Sequence, residues 1–367
     1  VDIRVKRVNA LALPRWSVVV PPLSVLVLAV GWGRASLGVA LLVLVCLALA
    51  GAVIAAVHHA EVVAHRVGEP FGTLVLAVAV TVIEVALIVT LMASGGDKAA
   101  SLARDTVFAA IMITCNGIVG LALLVGSLRH RVQEFRAHAS GGAFAVVLAL
   151  VTLSLVLPTF TTSSPGPTFS GAQLAFAGAA SFVMYGLFVF VQTVRHRDYF
   201  LPKVDRTPDD HAEAPATRTA LLSLGLLLIC LVAVVGLAKT VSPTLEAAVA
   251  AAGAPVSLVG VLIALLVLMP ETVAAVRAAL RDRLQVSLNL ALGSALASIG
   301  LTIPAIALAS LWLTGPLVLG LDGKELVLLV LTGGVGTLTL VSGRATVLQG
   351  AVHLMVFSAF LLLAVTP

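Results

Sequence analysis

Charge is scarce in this chain. Asp, Glu, Lys and Arg make up 11% of its 367 residues, under half of the roughly 25% usual in soluble domains. With 60% hydrophobic residues and a mean hydropathy of +1.14, an ordinary water-soluble core is excluded. Aromatic residues are 5%, too few to lay out a platform for stacked bases. No alternating polar and apolar run competes for a strand. Cysteine is nearly missing too: Cys46, Cys115 and Cys230 lie singly in apolar runs. That spacing excludes a CxxC or His-rich metal motif and reads them as small buried side chains. Neither G-x-S-x-G nor H-E-x-x-H occurs, and no paired aspartates lie in the apolar runs, which argues against an intramembrane enzyme.

What fills the chain instead is a series of apolar runs, many approaching the roughly 20 residues that a membrane-spanning helix needs. Bounded by charge, Pro or Gly, they predict spans near 17–33, 36–57, 70–93, 105–127, 141–158 and 170–192, then 218–238, 245–276, 285–312, 325–341 and 345–366. The fold class expected is an all-α polytopic membrane protein of about eleven helices. The basic start, with Arg4, Lys6, Arg7 and Arg15, resembles a signal peptide, but Pro21-Pro22 interrupts the apolar stretch. The stretch therefore reads as the first span.

The net charge of +5 and pI near 9.5 point to topology, since the basic residues sit in short blocks between apolar runs, and no nucleic-acid partner is expected. Seventeen of the 22 Lys and Arg fall at the amino terminus or in even-numbered loops, against five, Arg34, Lys98, Arg104, Lys239 and Lys324, on the other side. Cytoplasmic loops retain positive charge, so the amino terminus is expected inside and the carboxyl terminus outside. The longest polar stretch, Arg195 to Thr217, holds Asp205, Asp209, Asp210, Glu213 and three prolines. It reads as a solvated cytoplasmic linker.

Around that linker the chain echoes itself. Glu61, Gly68 and Pro70 precede an apolar run ending at Glu84; Glu246, Gly253 and Pro255 precede one ending at Glu271. Six residues separate Glu from Gly in both copies. The organisation expected is an N-terminal segment with the first helix (1–35), a five-helix repeat (36–192), the linker (193–217) and a second five-helix repeat (218–367). Because five is odd, the second copy starts on the opposite side of the membrane, an inverted-topology repeat.

Glu84 and Glu271 are the residues this pattern singles out. An ionisable group at mid-membrane costs roughly 2.5–3.5 kcal/mol even on lenient scales, so it must face protein or water. Glu84 lies deep in its run; Glu271 falls nearer the cytoplasmic end of the 245–276 span. Pro270 removes a backbone donor from the carbonyl of Leu266, which predicts a kink and an oxygen for a hard cation. Two such carboxylates hold either protons or a cation, and exchange follows if the empty charged pair is too costly to move. Thr114, Asn116, Asn289, Ser294 and Ser298, on the helices that follow, are candidate neutral ligands or small packing residues. His58, His59, Glu61 and His65 form a candidate access or pH-sensing cluster, equally readable as a hydrated helix end. Glu246 repeats Glu61, and His353 reads as a hydrogen-bonded packing residue.

Two segments carry a resemblance to a known family: HRVGEPFGTLVLAVAVTVIEVALI, from His65 to Ile88, and LMPETVAAVRAALRDRLQVSLNLALGSALASIGLTIP, from Leu268 to Pro304. They resemble the bacterial calcium/proton (sodium-potassium/proton) antiporters of ChaA type, in the cation/proton exchanger branch of the calcium/cation antiporter superfamily. The resemblance implies a secondary transporter of the bacterial inner membrane with its ion site at Glu84 and Glu271. It further implies Asn116 as a supporting residue, with Ser298 as its repeat counterpart. Relatives usually carry Asn three residues before each glutamate and often His after it; here Thr81 and Leu268 precede, and Val85 and Thr272 follow. The cargo expected is Ca²⁺, with Na⁺ or K⁺ as the alternative, exchanged for protons. No cofactor is expected, the partners are inorganic cations, protons and the lipid bilayer, and nothing in the residues fixes an oligomeric state. A channel or a membrane scaffold is the competing class; paired glutamates in a repeat argue against a scaffold, and a channel would conduct without a proton gradient.

Overall fold

Helix follows helix in the computed structural model, which describes residues 13–34, 37–68, 71–95, 100–200, 215–251, 253, 255, 257–312 and 317–366. They are α1 (Arg15–Gly31), α2 (Val39–Val67), α3 (Phe71–Gly95), α4 (Leu102–His130), α5 (Ala137–Phe160) and α6 (Gly171–Arg195). After the linker come α7 (Thr217–Ala251), α8 (Ser257–Val267), α9 (Met269–Leu280), α10 (Leu284–Ala309), α11 (Gly323–Val341) and α12 (Val347–Val365). Among the described residues, eight helices are long and apolar enough to cross a membrane, and α8 with α9, bent by 53°, makes a ninth span. The shorter apolar α1 and the apolar α3 take the two remaining places, an order consistent with the eleven expected. A two-residue antiparallel pair, Gln133–Glu134 with Arg344–Ala345, ties the turn before α5 to the turn before α12.

The Glu-Gly-Pro motif proves to be a helix ending. α2 stops before Gly68, at φ 78°, and α7 stops before Gly253, at φ 70°. A left-handed residue after the last turn lets the chain leave a helix, and glycine adopts it without a Cβ clash. α3 and α8 begin a few residues later. One expected boundary is corrected here: 245–276 is not a single span. α7 runs through Lys239 and Pro243 to Ala251, and the turn comes at Gly253. Lys239 marks no loop because its ammonium lies 5.9 Å over the Trp32 ring, a contact that satisfies the charge beside an apolar surface. Asp205, Asp209, Asp210 and Glu213 of the polar linker, together with Arg4, Lys6, Arg7, Glu69, Pro70 and Ala254, lie outside the described residues.

The chain forms two compact units, residues 1–80 with 204–241 and residues 81–203 with 242–367; their boundaries fall inside α3 and α7. Each unit draws on both halves of the sequence. In the first, α1 and α2 pack antiparallel, with Ser24 Oγ donating to the Ala48 carbonyl at 3.2 Å and Gly51 facing Val20. Pro21 stands inside α1 and offers no N–H to the Ser17 carbonyl one turn back. His59 supplies the missing donor: its Nε2 lies 2.8 Å from that carbonyl.

In the second unit α4 is central. It packs against α8, α9, α10, α11 and α12, and 89% of its most apolar window is buried, against 22% for α12. Gly350 of α12 makes the closest approach, since a Cβ there would meet the Leu124 backbone of α4. Small residues at such a crossing let membrane helices approach through their backbones. Residues 113–118 form a π-helical turn in the middle of α4, and such turns recur at functional sites.

Candidate functional site

Glu84 sits near the middle of α3, 4% exposed, with Thr81 buried one turn before it. Its partner comes from the far half of the sequence. Ser298 of α10, 2% exposed, donates its hydroxyl to Glu84 Oε2 at 2.7 Å. The other carboxyl oxygen, Oε1, is buried and has no hydrogen-bond partner among the described residues. A carboxyl group so placed has one oxygen held by a neutral donor and one oxygen able to take a proton or a cation. Buried polar atoms are otherwise nearly always satisfied.

Glu271 occupies the first turn of α9 and is half-buried. The expected kink is there: α8 ends at Val267, Pro270 lies at the start of α9, and the two helices meet at 53°. The Leu268 carbonyl accepts both from the Thr272 N–H, at 3.0 Å, and from its hydroxyl, at 2.7 Å. Leu266 is half-buried in the last turn of α8. The reading of Glu271 as near a span's end is corrected. It stands at the break, near the middle of the Ser257–Leu280 segment, in the first turn of α9. Ser294 is half-buried one turn before Ser298 on α10.

Asn116 is buried in the π turn of α4, but its polar atoms go elsewhere. Its Nδ2 donates to Thr332 Oγ1 at 2.9 Å, and its Oδ1 lies 3.2 Å from His353 Nδ1. Thr114 returns its hydroxyl to the carbonyls of Ala110 and Ile111. Asn289 bonds the Phe200 carbonyl and Gln285 near the start of α10. Among the described residues no group of three or more His, Cys, Asp or Glu side chains could hold a metal ion. A cation at Glu84 would therefore draw on hydroxyl and carbonyl oxygens beside the carboxylates, as hard cations do.

The sequence profile of the sodium/calcium exchanger protein family matches residues 37–194 and 222–366. The chain belongs to this family. It is 49% identical to a putative ionic transporter, y4hA, of Sinorhizobium fredii, over 98% of this chain and 99% of that one. It is 35% identical to the sodium-potassium/proton antiporter ChaA of Escherichia coli, over 94% and 95%. The solved structure of native YfkE superposes with a TM-score of 0.72 at 17% identity, covering 96% of this chain and 99% of that one. That of the H⁺/Ca²⁺ exchanger CAX gives 0.68 at 16%, covering 94% and 86%. At such identities these two structures speak for the fold.

The candidate histidines His58 and His59 have partners of their own on α1. His59 is buried and bound to the Ser17 carbonyl, while His58 is half-buried with its ring 5.2 Å from that of Trp16. Glu61 and His65 are exposed on the last turns of α2. Glu246 lies on α7, and its side chain is outside the described residues. The three cysteines are free, Cys115 and Cys230 buried and Cys46 exposed.

Two features escaped the sequence reading. Thr332 and Thr339, seven residues apart on α11, complete the Asn116 network. Arg104, read as a loop charge, and Asp105, at the edge of the expected 105–127 span, are buried at the start of α4 and paired at 2.8 Å. Arg104 also donates to the Gly320 carbonyl at 3.1 Å, and Ser101 donates to Asp105 at 3.0 Å. The signal available was an adjacent Arg-Asp pair opening a long apolar run.

Proposed function

We propose that this exchanger is a secondary antiporter that trades a cation, Ca²⁺ first, for protons at a site built on Glu84 and Glu271. The observation that carries the reading is the Glu84 carboxyl group, buried at mid-helix with a hydroxyl from the other half of the chain on one oxygen and, among the described residues, no hydrogen-bond partner on the other. Such a group is too costly to keep charged in an apolar interior without a proton or a cation. Glu271, at a broken helix, supplies the second carboxylate, and Thr81, Ser294, Ser298 and the Leu266 carbonyl supply neutral oxygens. With a cation bound both carboxylates are ionised; when it leaves, protons take its place. The unoccupied charged pair does not cross between faces, so the two fluxes are coupled. Alternating access follows from two inverted five-helix repeats, 36–192 and 218–367. The protein lies in the bacterial inner membrane with its amino terminus in the cytoplasm, as its loop charges favour.

Two carboxylates suit a divalent ion electrostatically. A second reading has its own support: the E. coli relative is a sodium-potassium/proton antiporter by name, so Na⁺/H⁺ or K⁺/H⁺ exchange on the same residues is the alternative. Sealed liposomes with an imposed pH gradient decide both. Wild type should move one of Ca²⁺, Na⁺ or K⁺ with counterflow of protons, and Glu84→Gln and Glu271→Gln should abolish it. Exchange retained in both variants rejects the site. Cation flux indifferent to the pH gradient, without proton movement, makes the protein a channel.

A further inference from the structure

Buried hydrogen bonds fix the direction of every proton around Asn116. Thr332 gives its one hydroxyl hydrogen to the Leu328 carbonyl of its own helix at 2.7 Å. Its oxygen can then only accept, so the group facing it must be the Asn116 amide nitrogen, at 2.9 Å. This turns the Asn116 carbonyl oxygen toward His353 Nδ1, and because that oxygen only accepts, Nδ1 must carry the ring hydrogen. The remaining nitrogen of a neutral ring accepts, and Thr339 Oγ1 lies 3.2 Å from Nε2 as its donor.

The result is a single line of donors, Thr339 to His353 to Asn116 to Thr332 to Leu328. It leaves α11, passes through α12 and the π turn of α4, and returns to α11 two turns away. All four side chains are buried. Gly120 of α4 lies against His353, where a Cβ would come within 2.9 Å of the His353 Cβ. Turning the Asn116 amide over would face two acceptors at Thr332 and break both of its strong contacts. Side-chain rotation therefore cannot offer Oδ1 to a cation without dismantling the line. The π turn that carries Asn116 also packs on α9, which bears Glu271, and on α10, which bears Ser298.

We propose that His353 is a positioning residue whose Nδ1–H holds Asn116 as a polar clamp on the π turn, and that Asn116 braces the ion site without ligating the cation. The transport half of this inference rests on the exchange reading of Glu84 and Glu271; the clamp itself does not.

The test uses the full chain with Asn116→Leu, His353→Leu, the double variant, and His353→Asn, whose amide restores a donor near the Nδ1 position. Thermal unfolding in detergent should show the double variant no less stable than the worse single one. In liposomes the Leu variants should lower the maximal exchange rate while the half-saturating cation concentration moves less than about twofold. His353→Asn should recover most of the rate. Additive losses of stability overturn the clamp. A roughly tenfold rise in half-saturation for Asn116→Leu alone, absent in His353→Leu, overturns the positioning role and makes Asn116 a ligand. If the Leu variants do not accumulate, Thr332→Val with His353→Asn gives the same coupling from milder changes. Glu84→Gln runs alongside: unchanged exchange there defeats the site reading, while the unfolding cycle still decides the clamp.

Discussion

Replacing His59 by leucine should destabilise the protein only as long as Pro21 is present. In wild type the Ser17 carbonyl has no helical donor, because residue 21 is proline, and His59 Nε2 serves it at 2.8 Å. His59→Leu keeps an apolar side chain in the seam but strips the carbonyl of its donor. Hydrogen bonds between membrane helices average about 0.6 kcal/mol and reach about 1.7 kcal/mol, and the His59 bond, short and buried, belongs in the upper part of that range. Pro21→Ala restores an N–H one turn from Ser17, so in that background the histidine is redundant. The expected coupling in a four-protein cycle is thus about 1–1.7 kcal/mol. It is measured from reversible unfolding in mixed micelles with increasing denaturing detergent. Equal losses for His59→Leu in both backgrounds, within about 0.5 kcal/mol, would refute the reasoning. The same four proteins bear on His59 as a pH sensor. If its task is to serve a proline-orphaned carbonyl, the pH profile of exchange in Pro21→Ala/His59→Leu should match that of wild type.

Ser298→Ala removes the hydroxyl that donates to Glu84 Oε2; a loss of about 0.6–1.7 kcal/mol should raise the half-saturating cation concentration about threefold to twentyfold, and Ser298→Thr should restore it. Pro270→Ala should heal the 53° break between α8 and α9, making the fold up to about 3 kcal/mol more stable while exchange is lost; a fully active, straightened variant would show that the break is dispensable. Arg104→Met strands the buried Asp105 carboxylate at a cost of about 3–5 kcal/mol, and adding Asp105→Leu should recover most of it, read as unfolding midpoints.

How far the sequence reached depended on whether a feature is local. Pro270 foretold the break because its effect lies within one turn of its own helix. The Glu-Gly-Pro motif was visible as a repeat, although its meaning, a helix ending on a left-handed glycine, needed the backbone. Lys239 misled because charge was equated with a loop, and nothing along the chain announces that Trp32 will lie beneath its ammonium. Asn116 was legible only in part. A polar residue in a buried span was legible as important, but its partners, Thr332 and His353, lie more than two hundred residues on, and only packing decides whether an amide faces a cargo or a neighbouring helix.

The two glutamates, equivalent by motif, meet different local physics, and that difference bears on how the proposed site would serve two kinds of ion. Glu84 stands in an unbroken helix whose backbone donors are used within the helix, and its side chain takes the Ser298 hydroxyl from α10. Glu271 stands where the helix is broken at Pro270, which has no N–H to give the carbonyl one turn back. A proton needs one oxygen and a single neighbour, whereas a hard cation needs several oxygens at once. Glu84 with Ser298 meets the first requirement unaided. The second needs the broken helix, where a carbonyl can turn inward without giving up a helical bond. On the proposed exchange reading, the two-residue difference between the motif copies, 14 residues from Pro70 to Glu84 and 16 from Pro255 to Glu271, together with Pro270, would set one member of the sequence repeat to carry the proton and the other to anchor the cargo.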